Sequence, residues 1–176
     1  AGAANAASVT IDNVASAGDL YTVGGGGALT FSANLRNALN VGSVAASAFG
    51  GADSQIQGGA GAYTDITVSA PITSVTYDNV TNQVISVKTA GGARQDAIFK
   101  AGVSNGGWVE VGNLDVRLDT LEIFGTVQGL STKAGSVAQN YSGKLFDIQG
   151  GITGDTTWQV GTALSQLSGL AITAEA

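Results

Sequence analysis

The chain has no cysteine, no methionine and no histidine in 176 residues, and only one proline. Without cysteine there are no disulfides and no thiol nucleophiles, so stability has to come from packing and hydrogen bonding. Without histidine, imidazole-based triads are excluded, and zinc, copper and haem sites lose their usual ligands. A sulfur-free chain with an alanine-, glycine-, serine- and threonine-rich bulk fits a product made in large amounts.

Charge is scarce too. Charged residues make up 11% of the chain, against roughly 25% in ordinary soluble domains. The surface is therefore polar but weakly charged, and it lacks the charged edges that usually keep β-proteins apart. The balance of 13 acids and 7 bases, a net charge of −6, runs against nucleic acid as a partner and against docking on anionic membranes. No stretch approaches the roughly 18 apolar residues that cross a bilayer, so no membrane insertion is expected. The start AGAANAAS fits cleavage of a secretory signal after a small-residue site better than removal of an initiator methionine. The expected location is secreted, extracellular or on the cell surface.

Hydrophobic residues make up 44% of the chain, and their pattern has a period of two. Residues 8–14 (SVTIDNV), 63–69 (YTDITVS), 72–80 (ITSVTYDNV), 83–89 (QVISVKT), 96–100, 108–111, 114–127, 144–149, 156–160 and 170–174 read as strands. Gly24–Gly27 reads as a turn between a strand at DLYTV and one at ALTF. Pro71 is expected to break or redirect the chain. A polar turn is expected near Asp78–Gln83, another at Gly91–Gly92 and another at Asn105–Gly106–Gly107. A change of apolar parity near Asp119–Thr120 predicts a bulge or a turn. Two short helices are conceivable, over 33–40 before Gly42 and over 162–168 before Gly169. The fold class is all-β: one β-sandwich or jelly-roll-like domain of about 10–12 short strands with at most one or two short helices.

One internal repeat stands out: SVTIDNV at 8–14 and SVTYDNV at 74–80 differ only at Ile11 against Tyr77. Nothing extends the match from either copy, so there is no solenoid period. The plain reading is a shared strand-to-turn ending. The sharper one is that the two copies fit similar grooves, so that residues 1–16 form an arm donated to a neighbouring subunit while 17–176 form the β-sandwich domain.

Chemical motifs are weak. Glu110, Asp115, Asp119 and Glu122 supply the carboxylates for a glycosidase-type pair, but strand spacing favours a solvated face. Trp108 and Trp158 are the large aromatic platforms and read first as core or interface anchors. Calcium is the one metal left open, because it takes oxygen ligands. The segment 50–59 (GGADSQIQGG) departs from the calcium-repeat form and occurs once. Gly24–Gly27 lacks the Lys-Ser/Thr that would make it a phosphate loop. Asn79-Val80-Thr81 and Asn140-Tyr141-Ser142 match the N-glycosylation sequon.

The function expected from these residues is a non-enzymatic structural subunit of a self-assembling extracellular or cell-surface polymer: filament, sheath, matrix fibre or surface layer. It needs no cofactor, and its partners are copies of itself. Assembly would proceed by β-strand addition through Val9, Ile11 and Val14 of the arm and Val75, Tyr77 and Val80 of the second copy. The alternatives are a virion component, such as a jelly-roll capsid or tail subunit, and a monomeric glycan- or calcium-binding β module.

Overall fold

The computed structural model describes residues 7–14, 22–157, 166–167 and 170–172, and within them the alternating pattern becomes strand almost throughout. In chain order the elements are β1 (Ser8–Asp12), β2 (Gly26–Thr30), α1 (Ala33–Gly42), β3 (Ala45–Phe49), β4 (Asp53–Gln57), β5 (Asp65–Asp78) and β6 (Val84–Thr89). They continue with β7 (Gly92–Lys100), β8 (Ser104–Arg117), β9 (Glu122–Ser131), β10 (Gln139–Ile148), β11 (Ile152–Thr153), β12 (Gln166–Leu167) and β13 (Leu170–Ile172). The protein is an all-β single domain, with one short helix among the described residues. Its main body is a curled antiparallel sheet of eleven strands, with β11 and β12 as a separate pair.

Two strands of 14 residues organise the sheet, because each changes neighbours half-way. The first half of β5 lies between β2 and β4, and its second half lies between β1 and β6. Pro71 sits at the handover. It redirects the pairing without ending the strand: on one edge Gly26 of β2 stands opposite Pro71, and on the other edge β6 begins its pairing at Ile72. A register shift between Ile72 and Ser74 follows. The apolar parity of β5 accordingly passes from Ile66, Val68 and Ala70 to Val75, as a single bulge requires. β8 does the same at Asn113–Leu114, leaving β7 for β6.

Each half builds its own core. The first cluster lies between β2, β4 and β5 on one side and β3 and β7 on the other. Phe31, Leu39, Tyr63, Ile66, Val68 and Ala93 form its buried centre. The helix that closes this end starts where Ser32 caps it, its hydroxyl accepting the Leu35 N–H at 3.2 Å. Asn40 then clamps the Tyr63 backbone through both ends of its amide, at 2.7 and 3.1 Å. The second cluster is Val23, Val75 and Val84, with Ile11, Ile72, Val87 and Leu118 packed against it. One apolar row crosses this half: Ile11, Val75, Val87, Val116, Ile123 and Phe146 stand opposite one another across six strands.

Three local expectations are corrected. Gly26 and Gly27 belong to β2 and are not a hairpin turn; the proposed DLYTV strand lies mostly outside the described residues. Asn105–Gly106–Gly107 lies inside β8, and the hairpin turns at Ala101–Val103 instead. The glycines are there for close approach as well as for positive φ: a Cβ on Gly107 would run into the Leu130 carbonyl on the neighbouring strand. Residues 166–167 are strand β12, so the helix at 162–168 is not formed there. The parity change near Asp119 is a turn, with Leu121 in the left-handed region at φ 59.

Candidate assembly site

The two copies of the repeat pair with each other. β1 lies antiparallel on β5 with Ser8 opposite Asp78, Val9 opposite Tyr77, Thr10 opposite Thr76, Ile11 opposite Val75 and Asp12 opposite Ser74. Apolar residues meet apolar ones, and polar residues meet polar ones, because an S-V-T-apolar-D strand is complementary to its own reverse. The Thr10 and Thr76 hydroxyls share a hydrogen bond of 2.8 Å at the centre.

Hydrogen bonding respects the same local symmetry. The Asn79 N–H donates to the Ala7 carbonyl at 3.1 Å, and the equivalent Asn13 N–H donates to the Thr73 carbonyl at 2.8 Å. Asn79 adds a side-chain bond, its Oδ1 accepting the Ala7 N–H at 3.0 Å. Residues 7, 9, 11 and 13 therefore turn their backbone polar groups towards β5, and Ser8, Thr10 and Asp12 turn theirs outwards. On that outer side the Asp12 carbonyl accepts the Val23 N–H at 3.0 Å. β1 is the last strand at this end of the sheet.

The six residues expected at an assembly interface fall into two groups. Val9 and Ile11 are half-buried and stand opposite Tyr77 and the buried Val75, with Ile11 joined to the second core cluster. Val14 and Val80 lie beyond opposite ends of the ladder and are 69% and 51% exposed, so they do not join the other four. Sequence reasoning missed Asn79 and the Thr10–Thr76 contact. The repeat itself was the available signal, because two self-complementary strands in one chain are the simplest partners for each other.

The end of the ladder is fixed electrostatically. The Asp78 carboxylate accepts the Thr81 and Val80 N–H groups at 2.9 and 2.8 Å, which holds its pKa below the usual carboxylate value. This closes the β5–β6 turn directly beside the Ala7–Asn79 contact.

The remaining candidate residues are dispersed. Glu110 bonds Arg94 at 2.8 Å, Asp115 pairs with Arg117 at 3.3 Å and Glu122 with Lys144 at 3.4 Å, while Asp119 caps the backbone of Thr120. Hydrogen bonds to Asp96 and then to Glu110 raise the Arg94 pKa, and the bond to Arg94 lowers that of Asp96. The Arg94 guanidinium lies 4.7 Å from the Trp108 ring centroid, over the surface that a sugar platform would offer. Trp158 lies outside the described residues. Residues 53–57 of the glycine-flanked segment form strand β4. Among the described residues there is no group of three or more acidic side chains placed to hold a metal ion. Asn79 of the first sequon is the β1 clamp, and Asn140 of the second is exposed on β10. Comparison with protein-family models, with curated proteins and with solved structures finds no match to the chain.

Proposed function

We propose that the protein is a non-enzymatic structural subunit of an extracellular or cell-surface polymer, built by passing β1 of one subunit to the β5 edge of the next. The observation that carries this reading is the pairing of SVTID with SVTYD. The β5 edge is completed by a short strand near the start of the sequence, held by backbone bonds, one hydroxyl pair and two half-buried apolar side chains. None of these contacts depends on which chain supplies the strand. An exchange between copies therefore keeps every contact and alters only the connecting segment, the low-cost route of strand swapping. Repeated head to tail, the exchange does not close and gives an open polymer. Scarcity of charged side chains weakens the repulsion that would oppose it.

The test uses the absence of native cysteine. Thr10 and Thr76 face each other at a position without mutual backbone bonds, where Cα atoms approach to about 4.5 Å, well suited to a disulfide. Thr10→Cys/Thr76→Cys protein is oxidised at high and low concentration and run on denaturing gels. Donation between subunits gives covalent ladders at high concentration. Crosslinked monomer alone, at every concentration that yields assemblies by electron microscopy, rules it out.

A further inference from the structure

Asn105 is the only asparagine in the chain that is followed by glycine. Expected in a turn, the pair lies inside β8, one step in from the Lys100–Ser104 pair that ends the β7–β8 hairpin. The Asn105 side chain is exposed, and no hydrogen bond holds its amide among the described residues. Gly106 brings no side chain to shield the backbone nitrogen next to that amide.

That nitrogen is also outside the ladder. The Gly106 carbonyl accepts the Thr132 N–H at 3.2 Å, so Gly106 turns its backbone polar groups towards the β9 side. β9 pairs with β8 only as far as Ser131 opposite Gly107. The Gly106 N–H donates instead to the Ser104 hydroxyl, at 2.9 Å. At the other end of the same peptide group, the Thr132 hydroxyl donates to the Asn105 carbonyl at 2.6 Å. A donor on the carbonyl and an acceptor on the N–H both favour the deprotonated, nucleophilic form of the peptide. The same threonine enforces the glycine: a Cβ at position 106, where φ is 80, would come within 2.6 Å of Thr132 Oγ1.

We propose that the Asn105–Gly106 peptide is a self-modifying site, at which the Gly106 nitrogen closes on the carbonyl carbon of the Asn105 side chain. The N–H proton leaves past the Ser104 oxygen to water. A bond forms between the Gly106 nitrogen and Asn105 Cγ, and the bond from Cγ to the amide nitrogen breaks to release ammonia. Water then opens the resulting succinimide at either carbonyl, giving aspartate from attack at Cγ and isoaspartate from attack at the main-chain carbon. Water is the only co-reactant, and nothing is oxidised or reduced. Reaching the side chain needs the Phe99–Asn105 and Lys100–Ser104 pairs to open, a local fraying far cheaper than unfolding. Both products add a negative charge to the hairpin. Isoaspartate also lengthens the backbone of β8 between the Phe99 and Ala97 pairs, so the hairpin end loses its register. The site involves neither β1 nor β5.

The full-length protein is incubated at mildly alkaline pH in heavy-oxygen water, once folded and once in urea, and its peptides are mapped by mass spectrometry. Conversion of residue 105 in the folded chain is expected at a rate within tenfold of that in urea, with isoaspartate and labelled oxygen in the product. A slower folded rate overturns the proposal, because the fold then shields the amide. As a second measurement, Thr132→Val, at an exposed site, should slow the folded rate at least threefold and leave the rate in urea unchanged. A folded rate equal to the parent's, or above it, overturns the part assigned to the Thr132 hydroxyl. Neither measurement depends on the Thr10–Thr76 crosslink, so strand exchange and this modification stand or fall separately.

Discussion

Thr10 and Thr76 meet hydroxyl to hydroxyl at 2.8 Å, each in the middle of its own copy of one short sequence. A local two-fold axis runs between them. It relates Asn13–Thr73 to Asn79–Ala7, so the β1–β5 ladder has the symmetry of two identical strands from two molecules.

That symmetry makes the hydroxyl pair a register pin. Thr10→Val and Thr76→Val should each destabilise, and a double-mutant cycle should give a coupling of about 0.2–1 kcal/mol, the usual range for cross-strand pairs. Urea midpoints of the four proteins measure it. A coupling of zero means the hydroxyls do not recognise each other.

Ile66 is completely buried in the first core. Ile66→Ala should cost about 2–5 kcal/mol, the range for deleting a buried branched side chain where neighbours cannot collapse. The urea midpoint should fall with the slope of the transition unchanged.

Gly107 holds φ 127 beneath the Leu130 carbonyl. Gly107→Ala should lower the melting temperature by more than replacement of an exposed glycine with no neighbour, such as Gly102→Ala. Both sites have positive φ, but Gly107 at 127° is further from the left-handed region than Gly102 at 73°, so the difference combines the clash with the neighbouring strand and the greater backbone strain. Thermal unfolding followed by circular dichroism compares them.

Asp78 and Asp96 are held below their ordinary value, Asp78 by backbone N–H groups and Asp96 by Arg94. A carboxylate with a depressed folded pKa contributes stability that is complete above its unfolded value and is lost as pH falls through the folded one. The urea midpoint should therefore decline below about pH 4, near the free Asp value. Asp78→Asn keeps an oxygen for the turn and removes the titration, so its decline should be shallower. Lys144, raised by Asp147 and then Glu122, acts in the opposite sense: its contribution is present below the free-lysine value and fades above it.

The strands were readable because they are local: β-branched residues at a period of two mark β5, β6, β8 and β9 wherever their partners lie. The helix expected over 33–40, ahead of Gly42, forms and runs on to Gly42 itself. Glycine was misread at 105–107, because the same residue serves a tight turn and a close backbone approach, and only the position of Leu130 separates the two. Pro71 was half readable: its effect depends on which neighbours β5 has on each side, a long-range fact. The residues expected at an assembly interface divide in the same way. Val9, Ile11, Val75 and Tyr77 alternate in the correct phase and meet, while Val14 and Val80 continue the repeat past the point where the chain leaves the sheet.

The antiparallel alignment of β1 on β5 also fixes how a chain of such subunits would bear a load. Tension between neighbours would draw the donated segment lengthwise, across bonds that lie at right angles to the pull. Those bonds would be strained together and would have to fail together, instead of peeling open one after another from an end.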